Sequence, residues 1–100
     1  MGIVYTDEYE TKKAYVEMNL SDGKYIVEYI ITSPIDEKPD NVNAYISRYN
    51  ENQEAQRVGY ASYDNKTTSV RFDATYYIAS VDSQKAISDR FYSDLVSFLE

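Results

Sequence analysis

Carboxylates are the chemistry available to this chain of 100 residues, which has seventeen Asp and Glu and neither histidine nor cysteine. Without histidine the commonest general base, the usual hydrolytic triads and the standard zinc ligand sets are gone. Without cysteine there is no thiol nucleophile, thiolate metal site or disulfide. Two carboxylate groupings remain to be weighed. Glu17 and Glu28 face each other if residues 13–20 and 24–31 pair as a tight hairpin, and two carboxylates held so close can share a proton and do acid–base work. On an open sheet face without a pocket, the simpler reading is a solvated pair relieved by Lys13 or Lys24. Asp36, Glu37 and Asp40 sit close enough in sequence to hold calcium loosely, yet they lack the ligand–glycine–glutamate order of a dedicated site. The three glycines, at positions 2, 23 and 59, make no phosphate-cradling loop or dinucleotide fingerprint. The expectation is a protein that is not an enzyme and has no catalytic, cofactor or metal site.

The elements that would position these groups follow from hydrophobic period. Ala14, Val16, Met18 and Leu20 alternate with Lys13, Tyr15, Glu17 and Asn19, as in a half-buried strand. Asp22-Gly23 follows, the strongest short hairpin signal. With those two as the loop, Leu20 faces Tyr25, Met18 faces Val27, Val16 faces Tyr29 and Ala14 faces Ile31, all on one side. On the other side Asn19 then meets Ile26, Glu17 meets Glu28, and Tyr15 meets Ile30. Residues 33–43, which hold both prolines, read as a loop. Strands are expected at 43–49 and 56–63, then a turn with Asn65 in a left-handed position, then a last strand over 67–80 bent near Asp73-Ala74.

The period changes at the C-terminus. Asp82 or Ser83 caps a helix in which Ile87, Phe91, Leu95 and Phe98 recur every three or four residues, with Tyr92, Val96 and Leu99 widening the stripe. The predicted fold class is α+β: an antiparallel four- to five-stranded meander sheet with one C-terminal amphipathic helix packed on the face of Ala14 and Ile31. The whole chain reads as a single domain, with the sheet over 13–80 and the helix over 82–99. Residues 1–12 stay open between a short strand and the start of a helix.

Composition bears on what such a domain would touch. The net charge of −7 argues against direct binding to phosphate backbones or anionic membranes. It suits a basic surface on a protein partner. Neither a signal-like segment nor an apolar run of about eighteen residues is present, so a cytoplasmic location is expected. Twelve tyrosines against three phenylalanines and no tryptophan fit a wet sheet rim first and an interface second, because the ring buries while the hydroxyl stays wet.

The composite expectation is a small acidic protein-binding module that occludes a basic surface of its partner, such as one that handles nucleic acid. Tyr5, Asp7, Glu8, Tyr9 and Glu10 are the leading candidates for contact, followed by Asp36, Glu37 and Asp40 and by Glu51 and Glu54. Many acidic proteins of this size and composition are phage- or mobile-element-encoded blockers of host machinery, an association of composition alone. One helix covers one sheet face, which leaves Tyr15, Ile26 and Ile30 to be covered by the N-terminal segment, a partner or a second copy. A homodimer through that patch is the alternative. The layout is similar to that of homodimeric single-strand-binding domains of the Whirly kind, whose resemblance implies tyrosines stacking on bases.

Overall fold

Strand-forming residues dominate wherever the sequence alternates, and five strands form there. The computed structural model describes residues 9–100. In chain order these are β1 (Tyr9–Leu20), β2 (Gly23–Pro34), β3 (Asn41–Tyr49), β4 (Ala55–Asp64), β5 (Thr67–Phe72) and α1 (Val81–Leu99). Each strand pairs antiparallel with the next, so the sheet is a meander with β1 and β5 at its edges. The α+β class is as expected, and residues 9–12, which could have been helix or strand, extend β1.

The first hairpin departs from its local signal. Leu20 pairs with Gly23, so the two loop residues are Ser21 and Asp22 rather than Asp22 and Gly23. Val16 consequently faces Val27, Met18 faces Tyr25, and Ala14 faces Tyr29. The slip is two residues, which conserves strand parity: the same apolar row points inward. Its cause lies outside the hairpin. The Asp22 carboxylate accepts hydrogen bonds from Tyr25 Oη (2.9 Å), Tyr77 Oη (2.9 Å), the Ser80 N–H (3.0 Å) and Ser83 Oγ. Its carbonyl accepts Nε and Nη2 of Arg48 at 2.9 and 2.6 Å. Asp22 therefore ties the hairpin, β3, the crossing segment and the start of the helix together. Burial pushes its carboxyl upward, but the bonds from Ser83, Ser80, Tyr25 and Tyr77 outweigh that and hold it well below the usual carboxylate range. Gly23, at φ 141°, lies against Arg48: a Cβ there would come within 2.7 Å of Arg48 Nε.

The β4–β5 turn follows its local signal. Asn65 and Lys66 both take positive φ (45° and 75°), the backbone of a two-residue hairpin loop that follows the sheet twist. β5 is shorter than expected and ends at Phe72. The Asp73 carboxylate accepts the Thr75 N–H at 2.7 Å and the Thr75 hydroxyl, which turns residues 73–80 out of the sheet. Tyr77 then lays its ring under the Arg48 guanidinium, 3.9 Å from the centroid.

The cap of helix α1 lies two to three residues earlier than predicted. Ser80 is the N-cap, accepting the Ser83 N–H at 3.2 Å, a contact worth about 1 kcal/mol. Ser83 is instead buried and committed to Asp22. Ile87, Phe91 and Leu95 are buried against Tyr25, Val27, Tyr29, Val42, Ala44, Ile46 and Val58. Tyr29 sits at the centre, stacked 6.4 Å from Phe91 and edge-on to Phe98 at 5.0 Å, with its hydroxyl donating to Asp94 at 2.6 Å. Tyr92 and Val96 do not widen the buried stripe; they point outward and are exposed. No helix among the described residues is long and apolar enough to cross a membrane.

Candidate interaction face

Alternation that turns one row inward turns the next row out, away from the helix. On β1 and β2 the outward residues include Lys13, Tyr15 and Glu17, and Lys24, Ile26, Glu28 and Ile30. Tyr15 is 71% exposed, whereas Ile26 and Ile30 are half-buried on either side of exposed Glu28. Glu28 lies opposite Tyr15 on one side and Tyr45 on the other. The structure thus brings Tyr15, Ile26 and Ile30 onto one face, where they surround Glu28.

The predicted opposition of Glu17 and Glu28 is corrected by the same two-residue slip. Glu17 pairs with Ile26 across the ladder and bonds diagonally to Lys24 Nζ at 2.8 Å, which raises the Lys24 pKa. The two carboxylates share neither a position nor a pocket. Asp36, Glu37 and Asp40 do not converge either: among the described residues no three His, Cys, Asp or Glu side chains gather.

A bulge supplies what sequence reasoning missed. Ile46 pairs with Gly59, but Ser47 pairs with Arg57, so Val58 is an extra residue in β4. Simple alternation from Gly59 and Ala61 would turn Arg57 inward. The bulge sends Val58 into the core and turns Arg57 out, over the Tyr45 ring at 4.6 Å. Gly59 was the available clue, since glycine within a strand marks bulges and close approaches. A Cβ on it would meet the Arg71 carbonyl at 2.9 Å. Arg71 in turn lies 5.7 Å from the Tyr60 ring, and Tyr45 and Tyr60 are tilted neighbours at 5.4 Å. Tyr60 Oη donates to Asn43 Oδ1, and Asn43 Nδ2 to Asn41 Oδ1 at 2.9 Å, so the row is braced from below.

Among the described residues no helix lies on this sheet face, which has tyrosines and arginines at its centre. A shallow depression of about 370 Å³ lies between Tyr15, Glu28, Ile30, Tyr45 and Arg57, and one of about 510 Å³ between Arg57, Tyr60, Arg71 and Asp73. Both are open, so they suit contact with a surface better than enclosure of a small molecule. Lys13, Lys24, Arg57 and Arg71 outnumber Glu17 and Glu28 here, although the chain as a whole carries −7.

The acidic candidates divide between the two ends of the sheet. Tyr9 and Glu10 are exposed at the start of β1, and Glu10 lines an open cleft of about 750 Å³ with Asp36, Glu37, Lys38 and the C-terminal Glu100. Asp40 belongs to the same loop, its N–H bonded to the Thr32 carbonyl at 3.2 Å. Glu51 and Glu54 lie at the far end, in the β3–β4 turn, where Asn50 organises the loop by accepting the Asn52 and Glu54 N–H groups. Tyr5, Asp7 and Glu8 lie outside the described residues. No family model, no curated protein and no solved structure matches this chain.

Proposed function

We propose that this is a non-enzymatic protein-binding module that engages its partner through the sheet face opposite the helix, with acidic residues at both ends of the sheet steering a basic surface onto it. The observation that carries this reading is the face itself: Tyr15 exposed and Tyr45 and Tyr60 half-buried beside Ile26 and Ile30, with Arg57 and Arg71 laid on tyrosine rings. Tyrosine and arginine are the residues enriched where interfaces carry their energy, because their broad rigid surfaces bury well at small entropic cost. Glu54, beside Glu28 and Arg57, and Glu51 in the same turn supply a charged rim at one end of this face. Glu10, Asp36 and Glu37 gather at the other end on the helix side and add to the long-range field. Such charges accelerate encounter more than they tighten the complex. Lys13, Lys24, Arg57 and Arg71 lie on the footprint itself. The basic residues of the occluded surface therefore meet the acidic ends of the sheet, and the Tyr–Arg centre meets the polar and aromatic groups between them.

The test is capture from native lysate at low salt, with nuclease present and a salt step for elution. A protein retained by the wild type and lost with Tyr45→Ala or Arg57→Ala supports the reading, and capture should slow as salt rises. Retention unaffected by either substitution overturns it. Retention only without nuclease transfers the face to single-stranded nucleic acid, for which stacked tyrosines are also suited.

A further inference from the structure

The edge strand β1 carries an inference independent of that partner. It runs twelve residues, pairs with β2 along its whole length without a register shift, and has no strand on its other side among the described residues. The opposite edge, β5, is half as long at six residues. An edge of this kind presents a row of unpaired N–H and C=O groups, a template for another strand. Natural edges are blunted by prolines, bulges, lysines or inward charges. β1 has no proline and no bulge; of its charged residues Glu10 and Lys12 share the inward row and Lys13 and Glu17 the outward one, so a strand that pairs here must match those charges. Ala14, Val16, Met18 and Leu20 pack on the core yet remain half-buried, so apolar surface continues to the edge.

We propose that β1 pairs antiparallel with β1 of a second copy, about a two-fold axis through Tyr15, joining the two sheets into one. Symmetry and parity leave few registers. Both inner rows must stay on the helix side, so the axis passes through a residue rather than between two. An axis through Ala14 sets Lys13 against Tyr15 and Glu17 against Thr11. One through Val16 sets Lys13 against Asn19 and Glu17 against Tyr15. The axis through Tyr15 opposes each Lys13 to Glu17 of the twin, twice by symmetry, and sets Tyr15 against Tyr15. On the inner side it opposes Ala14 to Val16, extending the apolar row across the junction. Of the three, this register alone matches both outward charges. Each exposed pair adds only a small increment, and the rest comes from the shared backbone ladder and the apolar row. Such an interface belongs to the small, weak class, populated at high protein concentration. It doubles the Tyr–Arg face into one continuous surface.

The absence of cysteine makes the test direct. Tyr15→Cys places one thiol against its twin, at a Cα separation of about 4.5–5.5 Å that a disulfide spans. Mild oxidation of concentrated protein should link Tyr15→Cys at least about tenfold faster than Ser69→Cys, which sits outward on distant β5. Adding Lys13→Glu should cut that advantage about tenfold, because two like-charge pairs replace two opposite ones. Light scattering of the wild type should rise above the 11.6 kDa monomer with concentration. Ile30→Asp, on the open face away from the edge, should leave that rise unchanged. A mass fixed at the monomer overturns the proposal, as do equal linking rates at residues 15 and 69. If Ile30→Asp alone restores the monomer, the copies meet face to face and the edge pairing is wrong.

Discussion

On the helix side of the sheet, Tyr25 and Tyr29 are buried to the ring, and their hydroxyls donate to Asp22 and Asp94. On the open side, Tyr45 and Tyr60 keep their rings within reach of solvent, with Arg57 and Arg71 lying over them. One residue type thus serves two ends. Burial first, and then the neighbouring carboxylate, push the Tyr25 and Tyr29 hydroxyls above their usual range, so these groups stay neutral and fastened. The inner face has no polar group to spare: among the described residues no buried side-chain donor or acceptor lacks a partner. The outer contacts are exposed cation–π pairs worth about 0.5–1 kcal/mol each, weak enough to be exchanged for contacts with another molecule.

Substitutions can break this contrast from either side. Phe91→Ala removes a fully buried ring from the helix–sheet contact and should cost about 3–5 kcal/mol in denaturant-unfolding experiments. Asp22→Ala strands the donors that converge on one carboxylate and should cost about 2–4 kcal/mol. Asp22 also carries a pH signature. Its folded pKa is depressed, so its contribution is present above the unfolded carboxylate value near 4 and is lost as pH falls toward the folded value. Wild-type stability should therefore drop below about pH 4, with a shallower drop in Asp22→Asn. Tyr29→Phe, which unfastens the hydroxyl from Asp94 and keeps the ring, should cost about 1–2 kcal/mol. Arg57→Ala should change stability by less than about 1 kcal/mol while weakening partner capture. A large stability loss for Arg57→Ala would mean that the open face is structural after all.

Much of the fold was legible because period is local. The alternation of Ala14, Val16, Met18 and Leu20, the positive-φ turn at Asn65, and the recurrence of Ile87, Phe91 and Leu95 each declare an element from neighbouring residues alone. The inward row of the first hairpin was also legible, since a slip of two residues leaves every side chain on its own face. Tyr15, Ile26 and Ile30 were therefore placed on the open face, while Arg57 was not. Its orientation depends on Val58 occupying an extra position opposite Ile46, and that depends on how tightly β5 approaches Gly59.

What the sequence by itself determined is the type of each element, its apolar side and the acidic surplus, because these depend on residue identity and short spacing. Tertiary structure decided the hairpin register, the end of β5, and the Tyr–Arg row. Asp22 pulls the first turn one residue back because its carboxylate meets Tyr77, Ser80 and Ser83, which are more than fifty residues away in the chain. No local propensity encodes contacts of that separation. They form only once the helix has docked, and they then outweigh the preference of a two-residue turn.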